Sequence, residues 1–396
     1  MNISEIFSPI KKEIYQSVIL TFALYFVFLS FTWNSTETTD ILISSFYFVS
    51  AYLVFFLIGF PKVAKYLSAL INFNIRKAII FPIAVIIFYY SYIVLNGDNP
   101  LKGTTFLFAF FILFPTLIFI AKNDNLYKID WIDFFTFTLF LLPTTLVKFE
   151  PNTNMPINGG GFDSLFRIVI IIVCVYSFSI VRKLNDVGFF PVFNLGFLKI
   201  AVISWLLFYA AALLIGVNFG FFKFIGYNDF SINFILSIFG KILIVFLHTA
   251  IFEELFFRGL LQNLLSKRIY QSQQWLIFWK WGMIILLILS LLTSYFMKGN
   301  YSWVIPSATI AIFIAAYLIE KKKIDKIGTY TALAITSVIF GIVHFHAGSI
   351  VFVALASIAG WSYGFTYLKT KNVFYAALVH ALVNNTYLLL GIELLK

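Results

Sequence analysis

The chain has 396 residues, of which 61% are hydrophobic and only 11% are charged, and its formal net charge is +11. This composition excludes a soluble globular domain, in which about a quarter of the residues are charged. The basic residues are scattered over short polar breaks and do not form one patch, so they do not indicate nucleic-acid binding.

Long apolar stretches recur along the chain, and many reach the roughly 20 residues that a helix needs to cross a hydrocarbon layer of about 30 Å. Backbone amides cannot stay unpaired in lipid, so each stretch predicts a helix. Prolines within the stretches, at positions 82, 115, 143 and 306, predict local kinks. The predicted fold is all-α, a polytopic integral membrane protein with about 13 transmembrane helices. The predicted spans are 14–33, 41–60, 78–95, 104–121, 131–147, 165–181, 200–216, 231–265, 281–297, 301–319, 328–345, 349–368 and 373–392.

The basic residues fall mainly on alternate loops, as expected where cytoplasmic loops retain positive charge. This pattern predicts a cytoplasmic N-terminus, a C-terminus outside, and basic loops that face anionic lipid of the bilayer. The first apolar run is too long for a signal peptide and lacks a small-residue cleavage site, so we expect an uncleaved span. A chain so rich in Phe, Lys and Ile suggests a bacterial cytoplasmic membrane. One set of loops carries Lys11, Lys12, Lys62, Lys65, Arg76, Lys77, Lys122, Lys128, Arg182, Lys183, Lys199, Lys267, Arg268, Lys280, Lys321, Lys322, Lys323, Lys326, Lys369 and Lys371. The other set carries Lys102, Lys148, Arg167, Lys223 and Lys298.

The character of the spans changes near residue 190. Residues 1–190 form a region of about six spans without a charged residue at their centres, and its role is not predicted. The sole cysteine, Cys174, lies there in an apolar helix, so we expect a buried free thiol and no intrachain disulfide. Residues 191–396 contain every histidine and both mid-span glutamates, so any active site is expected in this C-terminal helical bundle.

The segment Phe252-Glu-Glu-Leu-Phe-Phe-Arg-Gly259 places two carboxylates and a guanidinium inside an apolar run. Residues four apart share a helix face, so Glu254 and Arg258 are expected to pair, while Glu253 points about 100° away. A carboxylate without a cation partner in a medium of low dielectric constant can take up and return a proton near neutral pH. The alternative is a structural ion pair beside a protonated glutamate that bonds a neighbouring helix.

Two further segments carry polar side chains: Phe340-Gly-Ile-Val-His344 and His380-Ala-Leu-Val-Asn384. A single membrane histidine is more often an interhelical hydrogen-bonding group than a catalyst. Together, however, Glu253, His344, His380 and Asn384 supply a base, two imidazoles and an amide that can hold and activate a water.

Two other histidines and one small-residue motif receive structural interpretations. His248 lies off the face of Glu253, and His346 lies in an interfacial turn. Gly360 and Gly364, four residues apart, predict close packing of their helix against another.

The ordered motifs Glu-Glu-x-x-x-Arg, Phe-x-x-x-His and His-x-x-x-Asn resemble those of the CAAX-protease and bacteriocin-processing (CPBP) intramembrane proteases, over roughly residues 240–390. The resemblance implies that Glu253 is the catalytic glutamate and that Glu254 and Arg258 orient the site. It also implies that His344, His380 and Asn384 line the water and oxyanion site. The domain would span 191–396 and contain an extra helical hairpin at 270–327, because the first two motifs lie unusually far apart.

One geometric difficulty accompanies this reading. At 1.5 Å per residue, His380 lies about 10 Å inside its predicted span and His344 about 24 Å inside its own. A tilted helix or a later helix start is therefore required if the two are to meet.

Two mechanisms are compatible with these residues. In one, zinc is held by His344, His380 and Glu253 and activates a water. In the other, no metal is needed: Glu253 activates the water while His380 and Asn384 stabilise the oxyanion. Asn384 favours the metal-free version, because a neutral amide is a poor zinc ligand and a good oxyanion donor.

The predicted function is intramembrane endopeptidase action on a membrane-associated peptide or protein. The alternative is a non-proteolytic scaffold or immunity protein, or a proton-coupled transporter in which the same side chains form a relay. A transporter would be expected to have matched halves with broken helices, and the sequence has none.

Overall fold

In a computed structural model, the structure describes residues 8–32, 38–72, 74–95, 99, 101, 105–122, 128–145, 165–226, 231–298, 300–322 and 327–394. Among these residues, eight helices are long and apolar enough to cross a membrane, and five shorter apolar helices accompany them. Each corresponds to one predicted span, which confirms the all-α polytopic fold class. Lys102, Lys148, Lys323 and Lys326, which entered the charge pattern, lie outside the described residues.

The chain separates into two compact units, Met1–Val192 and Phe193–Lys396. The first unit is built around its last helix, α7, whose side chains are almost all buried and include Cys174, as expected. Tyr176 anchors α7 by donating a hydrogen bond to the Ala78 carbonyl at 2.7 Å. The helices are α1 Lys11–Thr32, α2 Thr38–Ile58, α3 Pro61–Ile71, α4 Ile75–Leu95, α5 Leu107–Ala121, α6 Trp131–Thr145 and α7 Leu165–Val181.

Helix α3 was not predicted, because its segment was interpreted as a basic loop. It has 11 residues, too few to span a bilayer, and one face is apolar while the other is charged. Val63 and Ala64 are buried, whereas Lys62 and Lys65 are exposed. An amphipathic helix of this kind escapes a search for long apolar runs.

A buried ionic cluster joins the ends of α5, α6 and α7. Arg182 donates from Nε to Asp133 at 2.6 Å and from Nη2 to the Lys128 carbonyl at 2.9 Å. Lys122 lies 2.7 Å from Asp133 and 2.8 Å from Asp130. Asp133 is fully buried, so its charge requires these partners. This cluster was not predicted from the sequence, in which Lys122 and Arg182 were assigned to basic loops.

The second unit is organised around α13, the most buried of its long helices, which packs against α8, α11, α12 and α14. A two-stranded antiparallel sheet pairs Phe222 with Leu394 and Phe224 with Ile392. The elements are α8 Leu195–Asn218, β1 Phe222–Phe224, α9 Ile232–Ser272, α10 Trp275–Met297, α11 Val304–Glu320, α12 Thr329–Val343, α13 Ile350–Thr370, α14 Val373–Asn384, α15 Thr386–Leu390 and β2 Ile392–Leu394.

The predicted span 373–392 is wrong at its end, because α14 stops at Asn384. The Asn385 side chain donates to the Ala381 carbonyl at 2.8 Å and so satisfies one of the last helix carbonyls. Gly391, with φ of 60°, then turns the chain into β2.

The kink predicted at Pro306 is not required by the structure, since this proline lies in the first turn of α11, where its missing N–H has no helical acceptor. Pro82, Pro115 and Pro143 do lie inside helices.

Helices α10 and α11 form a hairpin within the region predicted to hold one. The Trp279 indole donates to the Phe313 carbonyl at 2.8 Å, and Ser290 and Thr309 share a hydrogen bond of 2.7 Å. The first contact is part-buried and the second is buried, and a hydrogen bond between partner helices satisfies polar groups that lipid cannot.

Candidate active site

Helix α9 carries the two glutamates in a short α-helical segment, Ile251–Glu254, between two wider π-helical segments. These segments are Phe246–Ala250 and Leu255–Gln262. π-Helical turns are rare and occur frequently at functional sites, because they change the direction of neighbouring side chains. Here the Glu254 side chain is fully buried, while that of Glu253 is 27% exposed.

Glu254 is the centre of a buried polar network. It accepts hydrogen bonds from Arg258 Nε and from His380 Nδ1, both at 2.9 Å. Arg258 also donates to Thr336 Oγ1 at 3.3 Å, and its guanidinium carbon lies 5.3 Å from the Phe340 ring centroid. The spacing in the sequence had predicted the pairing of Glu254 with Arg258. The bond to His380 joins this ion pair to a helix more than 100 residues further along the chain.

The His380 ring is held by two aromatic rings as well as by the hydrogen bond at Nδ1. It stacks on Tyr363 with centroids 4.7 Å apart and planes 8° apart, and it meets the Phe340 ring edge-on at 5.7 Å. A carboxylate only accepts hydrogen bonds, so Nδ1 carries the proton in the bond to Glu254. The Nε2 atom of His380 is therefore the nitrogen through which this residue can act on another molecule.

His344 is oriented by its own helix. Its Nδ1 donates to the Phe340 carbonyl at 2.7 Å, because a carbonyl oxygen cannot donate. Its Nε2 lies 4.0 Å from Glu253 Oε2. The centroid of the Phe340 ring is 4.6 Å from that of His344, so one phenylalanine contacts both candidate imidazoles.

The shared contact with Phe340 shows that His344 and His380 lie close together, although their positions along their helices predicted different depths in the membrane. His344 lies about 22 Å along α12 and His380 about 10 Å along α14, at 1.5 Å per residue. Since both rings contact Phe340, the two histidines meet, as the expected tilt or later helix start would allow.

The four predicted catalytic residues line one cavity of about 440 Å³. Glu253, His344, His380 and Asn384 come from α9, the turn after α12, and α14. Asn384 is the last residue of α14, and its side chain is exposed. Most of the remaining wall is apolar and strongly aromatic, with contributions from Phe208, Phe221, Phe222, Phe340, Phe352 and Tyr363. The arrangement gathers ionisable and amide groups in an apolar chamber, the usual setting of a binding site.

Helix α13 approaches the network closely because it presents glycines there. A Cβ on Gly364 would overlap the Leu333 side chain and lie 2.5 Å from Gln262 Oε1, with Arg258 Nη1 at 3.3 Å. A Cβ on Gly360 would lie 3.1 Å from the Ser337 carbonyl oxygen. These contacts confirm the close packing predicted from the small-residue spacing.

The other two histidines do not line this cavity in the part of the chain that the structure describes. His346 is exposed, and its Nδ1 lies 3.0 Å from the Val343 carbonyl. His248 is half-buried in the first π-helical segment of α9. Their interpretation as structural residues stays a prediction.

The donor set does not fit a zinc ion as arranged. Within the described ranges, no three His, Cys, Asp or Glu side chains are positioned to hold one metal ion. Structural and catalytic zinc sites in proteins need at least three protein ligands around the ion. The nearest approach between Glu253 and His344 is 4.0 Å, and His380 directs Nδ1 to Glu254.

Sequence reasoning missed three contributors to the site: Tyr363, Thr336 and the role of Phe340 between the imidazoles. A tyrosine directly before Gly364, on the helix predicted to pack closely, was a usable signal for the first. No sequence signal identified Thr336, because threonine hydroxyls in membrane helices commonly bond the backbone of their own helix. Thr336 does so too, since its hydroxyl donates to the Ala332 carbonyl at 2.9 Å.

Helices suited to crossing a bilayer, with ionisable side chains gathered in a cavity among them, define a polytopic integral membrane protein with a buried polar site. Residues 235–326 and 322–386 match the family model described as type II CAAX prenyl endopeptidase Rce1-like. The C-terminal region of this chain therefore matches an Rce1-like family model, which confirms the resemblance inferred from the three motifs. The matched segments include both helices of the α10–α11 hairpin. Searches of curated proteins and of solved structures found no match.

Proposed function

We propose that this protein is a membrane endopeptidase that hydrolyses a peptide bond with a water activated by Glu253. The observation that carries the proposal is the convergence of Glu253, His344, His380 and Asn384 on one apolar cavity. The family match to Rce1-like endopeptidases supports peptide hydrolysis as the reaction class. The substrate is a peptide or protein segment held at the bilayer.

Glu253 is the proposed general base. Its carboxylate faces the cavity, and its Oε2 is 4.0 Å from His344 Nε2, so a water in the cavity can contact both groups. Glu253 takes one proton as the water oxygen bonds to the peptide carbonyl carbon. When the tetrahedral intermediate collapses, the C–N bond breaks and Glu253 returns that proton to the departing amine nitrogen.

His380 and Asn384 are the proposed oxyanion donors. They lie four residues apart on α14 and therefore share a face, and both line the cavity. As an imidazolium, His380 would donate from Nε2 while the Glu254 carboxylate stabilises its charge through Nδ1. The Asn384 amide donates without a change of charge. Donors that are already directed at the position of a developing oxyanion stabilise it in the transition state.

Glu254 and Arg258 are proposed as positioning residues. They do not need to touch the substrate, since Glu254 acts through His380 and Arg258 acts through Glu254. Tyr363 and Phe340 restrict the same imidazole from its sides. The site thus resembles a catalytic triad in one respect, because a carboxylate fixes the tautomer and the orientation of a histidine.

The proposal is tested with the detergent-purified full chain and a quenched fluorescent peptide library. We expect cleavage by the wild type, its loss in Glu253→Gln, and retention in a strong chelator. The matched control is Glu320→Gln, which makes the same change at a buried carboxylate that caps α12 through Thr329 and Thr331, away from the cavity. This control should keep activity.

Three results would count against the proposal. Cleavage that survives in Glu253→Gln would remove the general base, and loss of cleavage in chelator would restore a metal mechanism. If no peptide is cleaved by a protein shown to be folded, a scaffold or proton relay becomes the better explanation. A relay would also tolerate Glu253→Asp and would not depend on Asn384.

A further inference from the structure

The second unit has two ends with different charge. At one end, here called the basic end, the last turns of α9, α11 and α13 lie beside the first turns of α10, α12 and α14. Ser266 of α9 and Thr329 of α12 are within 3.4 Å, and the rings of Trp275 and Tyr317 are 5.8 Å apart. Helix α8 also begins here, because the Asn194 N–H donates to the Tyr375 hydroxyl in the first turn of α14. The described cations at this end are Lys199, Lys267, Arg268, Lys280, Lys321, Lys322, Lys369 and Lys371.

The candidate active-site cavity is built from the opposite ends of the same helices. Its walls include Phe221 and Phe222 after α8, His344 after α12, Phe352 in the first turn of α13, and residues at and beyond the end of α14. The last group comprises Asn384, Thr386, Tyr387 and Ile392. The β1–β2 sheet lies at this end, and Phe222 and Ile392 place one residue from each strand in the cavity wall.

Few cations lie at the cavity end. Among its described residues, Lys223 and Lys298 are the basic side chains beyond the helix ends, and Lys241 lies on α9 one turn before the cavity-lining Val245, against eight at the basic end. Short cytoplasmic loops retain Lys and Arg, whereas translocated loops do not. The asymmetry therefore assigns the basic end to the cytoplasm, and the cavity to the other face of the membrane.

We infer that the cavity opens on the non-cytoplasmic face, and that the substrate is an exported peptide or the exposed non-cytoplasmic segment of a membrane protein. The aromatic walls favour large apolar side chains beside the cleaved bond, because such side chains lose water contact on binding. The identification of a substrate rests on the proposed function, whereas the direction in which the cavity opens rests on geometry and charge alone.

The direction is tested by cysteine labelling in right-side-out and inside-out membrane vesicles. Cys174 is the only cysteine and is buried, so Cys174→Ser gives a suitable background. Phe224→Cys reports the cavity end and Tyr270→Cys the basic end, at positions that are 60% and 55% exposed. With a membrane-impermeant maleimide, we expect the first to label in right-side-out vesicles and the second in inside-out vesicles.

A second pair guards against a variant that fails to fold. Phe345→Cys, after α12, and Lys321→Cys, after α11, should repeat the same contrast. The opposite pattern in both pairs, or equal labelling of one position from both sides, would overturn the inference.

The substrate side is tested with an externally added quenched peptide that has phenylalanine or leucine beside the reporter bond. Cleavage in right-side-out vesicles, abolished by Glu253→Gln, is expected. Cleavage in detergent and in inside-out vesicles only would overturn this inference while leaving the proposed function intact. Labelling as expected with no cleavage in detergent would instead refute the proposed function and leave the direction of the cavity standing.

Discussion

Replacing Glu254 by methionine would leave the Arg258 guanidinium buried without a carboxylate. Both side chains are fully buried, so solvent cannot screen the isolated charge. Removing one partner of a buried ion pair typically costs about 3–5 kcal/mol of the free energy of unfolding. Arg258 would keep Thr336 and the Phe340 ring as neighbours, which places the expected cost toward the lower end, about 3 kcal/mol.

That cost corresponds to a change in the unfolding equilibrium constant of roughly two orders of magnitude. It can be measured by reversible unfolding in mixed detergent micelles, followed by tryptophan fluorescence. Arg258→Met should be similarly destabilising, because it leaves the buried Glu254 carboxylate with His380 as its remaining partner in the network.

The decisive variant carries both substitutions. Methionine adapts to irregular apolar space, so the double variant has no isolated charge and should be more stable than either single variant. If the costs of the two single substitutions simply add, Glu254 and Arg258 are not energetically coupled, and the reasoning about the buried network is wrong.

Two further predictions concern the ring that stacks on His380 and the ionic cluster of the first unit. Tyr363→Ala should lower kcat by about tenfold or more through misplacement of His380, whereas Tyr363→Phe, which keeps the ring, should retain most activity. Steady-state kinetics check this, and equal impairment of the two variants would contradict it. Burial alone would raise the pKa of Asp130, but the hydrogen bond and charge of Lys122 outweigh it and leave that pKa below its ordinary value. This stabilisation is complete above the unfolded pKa of about 3.9 and is lost as the pH falls through the folded value. The midpoint temperature of thermal unfolding should therefore fall more steeply between about pH 6 and pH 3 in wild type than in Lys122→Met. Parallel curves of midpoint temperature against pH would refute the assignment.

The membrane helices could be predicted because their physical requirement is local. A segment that crosses lipid must be apolar and must satisfy its own amides, and both properties can be recognised from the sequence. Helix α3 was missed because an amphipathic helix of 11 residues is neither apolar throughout nor long enough to cross lipid. The end of the last span was missed because the stop at Asn384 depends on the bond from Asn385 to Ala381, which competes with an otherwise apolar continuation.

The candidate site was predictable where it depends on spacing within one helix, as for Glu254 and Arg258. Contacts between helices were not predictable in the same way. The bond from His380 to Glu254 and the position of Phe340 between two imidazoles depend on how α9, α12 and α14 pack against one another. That packing brings together distant parts of the chain.

The π-helical segments of α9 have a consequence for how this helix tolerates changes in length. A π turn closes its hydrogen bond one residue later than an α turn, so it holds one residue more than a regular helix needs. Deleting a single residue from Leu255–Gln262 would let the segment tighten into an α-helix and would leave the residues that follow near their present faces relative to Glu253. The same deletion in a regular α-helix would turn everything that follows by about 100°. A deletion and an insertion in this helix therefore have different effects, because the one extra residue of the π turn lies directly beside the glutamate pair.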